Sequence, residues 1–104
     1  MRESYMQRRV REKIYELYTR DQVRILKLST LAMYGEAGWP DLSFWIKGGF
    51  VFLIEMKAPG KKLNPNQVQR HQELAQLGFD VSLHDDIDSA VTYAKHVIEW
   101  RLRR

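Results

Sequence analysis

A chain of 104 residues that is 44% hydrophobic and 29% charged can bury one core and is too apolar to stay disordered. Without a cysteine it has no disulfide, no Cys-ligated zinc and no thiol nucleophile, and no apolar run nears the roughly 20 residues of a membrane span. The net charge of +4 is unevenly spread: residues 1–20 hold six basic and three acidic side chains, residues 95–104 hold four and one, and the stretch between holds seven and nine.

Basic ends suit a polyanionic partner, and equally a solubilising surface. No signal peptide opens the chain and no linker or repeat divides it, so a single domain over 1–104 in a reducing intracellular compartment is expected. The first helix is predicted over 2–19, because Met6, Val10, Ile14 and Leu17 recur at helical spacing. Val23 to Leu28 alternates as a strand does, and 29–38 reads as a loop punctuated by Gly35 and Gly38. Asp41 to Ile46 and Phe50 to Lys57 flank Lys47-Gly48-Gly49, which is a hairpin signature. Ala58 to Leu63 is a polar connection. The next helix begins with Asn64 as N-cap and Pro65 in its first turn, and ends near Leu77 before Gly78. Phe79 to His84 is another strand. Asp86 or Asp88 caps a last helix with Ile87, Val91, Ala94 and Ile98 along one face. The order helix, three strands, helix, strand, helix predicts an α/β fold, a mixed β-sheet with flanking helices.

The chemistry concentrates where the hairpin strands meet their polar ends. Glu55 and Lys57 are two apart on a strand and point to one face. If the turn is the three residues 47–49, opposed residue numbers sum to 96 and Asp41 lies across from Glu55. A two-residue turn would oppose Asp41 to Met56 instead. Two carboxylates at cross-strand distance repel unless a proton or a cation sits between them. Oxygen donors so placed suit a hard cation, which can activate water and offset charge on a phosphodiester, with Lys57 beside it. A Glu-x-Lys pair alone is ordinarily solvated. Here Val51 to Ile54 is a buried apolar run, which sets the pair at the end of a central strand.

Two more polar residues fall on faces that should be buried. At about 100° per residue, Glu3 is only about 20° from Val10 around the first helix, while Glu12 is about 160° away and faces solvent. Gln67 is likewise about 20° from Leu74, and Asn64 to Gln67 also has the spacing of a capping box. Lys61 and Lys62 form a basic tip after Gly60, and with Arg70 are candidate phosphate contacts. His71, His84 and His96 have no metal-ligand spacing. Trp39, Trp45 and Trp100 suit a core or an interface better than base stacking.

The ordered set Gly38-Trp39-Pro40-Asp41, Glu55-Met56-Lys57-Ala58-Pro59-Gly60 and Leu63-Asn64-Pro65-Asn66-Gln67 resembles the VRR-NUC domain of the PD-(D/E)xK nuclease superfamily. The opening Glu3-Ser4-Tyr5-Met6-Gln7 is similar to that family's first helix. The resemblance spans roughly 3–84 and omits the last basic helix. It implies a restriction-endonuclease-like core of α-β-β-β-α-β plus a C-terminal helix. It implies a metal-dependent DNA endonuclease, with Asp41, Glu55 and the backbone carbonyl of Met56 holding Mg²⁺ or Mn²⁺. Lys57 would serve the attacking water or the transition state, and Gln67 and Glu3 would support the site. Small stand-alone members imply a homodimer that cuts branched DNA such as a Holliday (four-way) junction, in the cytoplasm of a bacterial or phage-infected cell. Trp100 or Tyr93 could belong to the dimer interface. A non-catalytic DNA-binding module on the same fold, or a nicking or restriction-like nuclease, stands as the alternative.

Overall fold

The computed structural model describes residues 2–28 and 35–104, and most of the predicted loop 29–38 lies outside them. Seven elements follow in the expected order: α1 (Glu3–Leu17), β1 (Val23–Lys27), β2 (Leu42–Ile46), β3 (Phe50–Met56), α2 (Pro65–Gln76), β4 (Asp80–His84) and α3 (Ile87–Leu102). The predicted strand limits at Val23, Ile46, Phe50 and His84 hold, and other boundaries shift by a residue or two. Helix α1, for example, stops at Leu17 because Tyr18 turns extended.

The sheet runs β1-β2-β3-β4. The first two pairings are antiparallel, and β3 and β4 are parallel through the α2 crossover. Leu42 opposes Ile54, Phe44 opposes Phe52 and Ile46 opposes Phe50. These pairs fix the three-residue turn over the two-residue one.

Strand alternation then assigns the faces. Leu42, Phe44 and Ile46 of β2 and Phe52, Ile54 and Met56 of β3 point into the core. Helices α1 and α3 cover that face with Met6, Val10 and Ile14 and with Ala90, Ala94, Val97 and Ile98. The buried stripe of α3 is thus turned from the predicted one, with Ile87 and Val91 at its margin. Tyr18 Oη donates to Glu99 at 2.7 Å and ties α1 to α3. Tyr93 is no free surface residue: its ring stands edge-on to Phe52 and its hydroxyl donates to Asp80.

The odd-numbered residues of β2 and β3 face the other way, toward α2. This second face carries Ser43, Leu53, Asp41 and Glu55, with Leu74 of α2 packed over it. Helix α2 starts in a complete capping box: Asn64 Oδ1 accepts from Gln67 N–H and Gln67 Oε1 from Asn64 N–H, both at 2.9 Å. Asp86 caps α3 by accepting from Ser89 N–H at 2.7 Å. Trp45 and Trp100 stay partly exposed and Trp39 is half-buried, so none is a core residue. Among the described residues no helix is long and apolar enough to cross a membrane.

Candidate active site

The site forms where β2 begins and β3 ends. The register that pairs Leu42 with Ile54 continues by one step to set Asp41 beside Glu55. Asp41 Oδ2 accepts from Met56 N–H at 2.8 Å, so the first residue before β2 is pinned to the last of β3. Glu55 is 1% exposed and Asp41 9%. Burial and the neighbouring Glu55 push the Asp41 carboxyl up to about 7, although the Met56 N–H pulls it back. Burial also raises Glu55, while the nearby Lys57 charge draws it down. Without a cation, burial and the closeness of the two carboxyls favour the proton-bound form of the pair.

The loop that delivers Asp41 depends on Gly38. Its φ is +87°, and a Cβ there would lie 2.3 Å from the Asn66 carbonyl oxygen. The backbone before Asp41 thus rests directly on the first turn of α2. Between them is a cleft of about 170 Å³ lined in part by Trp39, Asp41, Asn66 and Gln67. Arg70 braces its outer wall: Nε donates to the Ala37 carbonyl at 3.2 Å, Nη1 reaches Glu73 at 2.8 Å, and the guanidinium lies over Trp39.

Glu3 arrives from the other side of the sheet. Its Oε2 accepts from Ala58 N–H at 3.1 Å and so holds the backbone just after Lys57. Lys57 N–H donates to the His84 carbonyl at 2.9 Å, extending the parallel ladder past the carboxylates. The structure therefore brings Glu3, Asp41, Glu55, Met56, Lys57 and Gln67 to one end of the sheet. Lys61 and Lys62 are exposed on the connection that leaves it.

Two side chains were missed by reading the sequence. Gln7 is buried one turn beyond Glu3, and His71 is half-buried one turn beyond Gln67, 3.4 Å from Glu55 Oε1. Burial lowers the His71 pKa and favours the neutral ring. Each sits about 60° from the centre of its helix stripe, Gln7 from Val10 and His71 from Leu74. Both fall just outside a stripe about 100° wide, which reaches about 50° to either side of its centre.

The donor set fits a hard divalent cation. Two adjacent carboxylates, 1% and 9% exposed, are each raised by burial. No three His, Asp or Glu side chains among the described residues are arranged to hold a metal by themselves. A cation here would take Asp41, Glu55, the Met56 carbonyl and water, the sparse protein coordination that Mg²⁺ favours.

The profile of the VRR-NUC domain family matches residues 4–85. "Putative nuclease p44" of Acyrthosiphon pisum secondary endosymbiont phage 1 is 37% identical over 54 residues, which is 52% of this chain and 58% of that protein's length. Two solved structures share the fold. One titled "VRR_NUC domain" superposes with a TM-score of 0.72 at 23% identity, over 90% of this chain and 95% of its own. Another, titled "VRR_NUC domain protein", gives 0.74 at 22% identity, over 95% and 89%.

Proposed function

Because the chain belongs to the VRR-NUC family of nuclease domains, we propose that it is a divalent-metal-dependent, structure-specific DNA endonuclease that resolves four-way junctions. The observation that carries this reading is the convergence of Asp41, Glu55 and Lys57 at the end of β3, with both carboxylates buried and raised. A Mg²⁺ or Mn²⁺ ion held by Asp41, Glu55 and the Met56 carbonyl would lower the pKa of water and offset charge on the phosphodiester.

The chain's own groups supply the rest. Lys57 shares the Glu55 face of β3 and can orient the attacking water or neutralise charge on the phosphate. Glu3 fixes the backbone that carries Lys57 through its bond to Ala58. Gln67 spends its carbonyl oxygen on the cap, which leaves its amide N–H₂ at the cleft beside Asp41. Lys61 and Lys62 would meet phosphates as the DNA passes. A homodimer related by two-fold symmetry would set two such sites on the two strands of a junction.

The test is cleavage of labelled four-way junction, flap and linear duplex with Mg²⁺, with Mn²⁺ and with EDTA. Junction cutting in either metal, abolished by EDTA and by D41N, is expected. Cutting that survives EDTA would remove the metal from the reading. Binding without cutting in both metals would make the chain a DNA-binding module instead. Light scattering should return twice the chain mass, and a monomer that still makes paired cuts would remove the dimer.

A further inference from the structure

Two buried polar atoms face each other beside the site. Glu55 Oε1 and His71 Nε2 are 3.4 Å apart, and neither has a hydrogen-bond partner. The His71 side chain is 13% exposed. Helix α2 lays Gln67, His71 and Leu74 along the stripe that faces the sheet, at spacings of four and three. Leu74 fills its place with hydrocarbon, the ordinary choice against a strand. His71 brings a ring nitrogen to Glu55 Oε1, a buried carboxylate oxygen with no donor, since the Met56 N–H is already given to Asp41.

An unpartnered buried acceptor is costly, and so is an unpartnered buried donor. Opposed to one another they solve both problems, provided the ring carries its proton on Nε2. The contact is long here, as hydrogen bonds in unliganded active sites often are.

We propose that His71 is the positioning residue of Glu55: its Nε2–H holds Oε1 and fixes the carboxylate's rotation, so that the remaining oxygen faces Asp41 and the cation. The assignment rests on Asp41 and Glu55 being the cation site. Groups behind a metal ligand commonly set its affinity in this way. The role needs a donor at one point in space and no titration of the ring.

Two measurements test it, neither of them activity. The first is Mn²⁺ affinity by calorimetry for the parent, H71Q, H71F and E55Q. Glutamine keeps an N–H near the Nε2 position, whereas phenylalanine keeps the packing and removes the donor. H71F should bind Mn²⁺ about 10- to 100-fold more weakly, and H71Q should recover most of the loss. If H71F binds as tightly as the parent while E55Q does not, the role of His71 is overturned and the cation site stands. If H71Q is as weak as H71F, a donor near the Nε2 position does not restore affinity and the proposal also falls. A parent that binds no Mn²⁺ overturns the cation site and this proposal with it. The second measurement needs no variant: a long-range ¹H–¹⁵N spectrum reads the His71 tautomer. Protonation on Nε2 is expected, and a neutral ring protonated on Nδ1 overturns the proposal.

Discussion

Asp41 is a stability burden that a metal-free buffer should expose. Its carboxyl is raised from 3.8 to about 7, chiefly by burial and then by Glu55. A carboxyl raised on folding binds more protons in the native state than in the unfolded chain. Its contribution is therefore most favourable below the unfolded pKa and is lost as pH rises from about 4 to about 7. Glu55, raised by burial, acts in the same direction. D41N removes the charge and keeps an oxygen for the Met56 N–H. At pH 8, without metal, D41N should be more stable than the parent by roughly 1–3 kcal/mol. Each kcal/mol is worth about 4–8 °C in a domain of this size. At about pH 4 the difference should nearly vanish, because the penalty builds up only as pH rises from the unfolded pKa toward the folded one. Junction cleavage should fall by about 100-fold or more in the same variant. Thermal melts at both pH values beside one cleavage assay make the check. A D41N protein less stable than the parent at pH 8 would mean that Asp41 holds the fold together rather than the ion.

At the scale of elements, the site depends on α2 being pressed against the loop that leads into β2. Gly38 is the contact, since a Cβ would overlap the backbone of Asn66 and Gln67. Backbone cannot swing aside as a long side chain can. G38A should cost roughly 2–4 kcal/mol from overlap and positive φ together. G60A has a similar φ of +83° but open space around the added carbon, so about 1 kcal/mol is expected there. Melting the two variants side by side separates the overlap from the φ penalty, and equal losses would remove the packing role of Gly38. The same contrast explains what could be read before folding. The hairpin register, the Asn64 cap and the inward turn of Glu3 are local periodicities, written in residues a few places apart. The closeness of Gly38 to Asn66 and of His71 to Glu55 is set by how α2 docks on the sheet, which no local period encodes. A histidine at the margin of an apolar stripe looks like many others until the strand beneath it proves to carry an unpartnered carboxylate.

Across the whole molecule, the two basic ends of the sequence are distributed differently. Helix α1 starts beside the carboxylates, where Glu3 holds Ala58, and finishes where Tyr18 meets Glu99 near the end of α3. Its charge is thus strung along the length of the protein, and Arg8 and Arg9 are both paired with Glu12. The C-terminal charge gathers at the opposite end of the sheet, where the Arg101 guanidinium donates to the Gly48 carbonyl at the hairpin tip. Strand β3 spans the distance between, seven residues or roughly 20 Å. Lys61 and Lys62 directly follow the end of the sheet that carries Asp41 and Glu55, and both are exposed. A phosphate contact matters for cleavage only if the DNA that reaches it also reaches Asp41 and Glu55. K61A/K62A should therefore weaken junction binding and lower the slope of log affinity against log salt by about 2, near 0.9 for each lost contact. R103A/R104A should leave that slope unchanged, although it removes the same formal charge. Fluorescence anisotropy with a labelled junction at several salt concentrations, in EDTA to prevent cutting, measures both. A drop in slope for the arginine pair equal to that for the lysine pair would mean that the DNA lies along the full 36 Å of the molecule. A duplex turn of roughly 34 Å matches that length, so the salt slope decides whether one chain grips a whole turn or only the phosphates beside its own site.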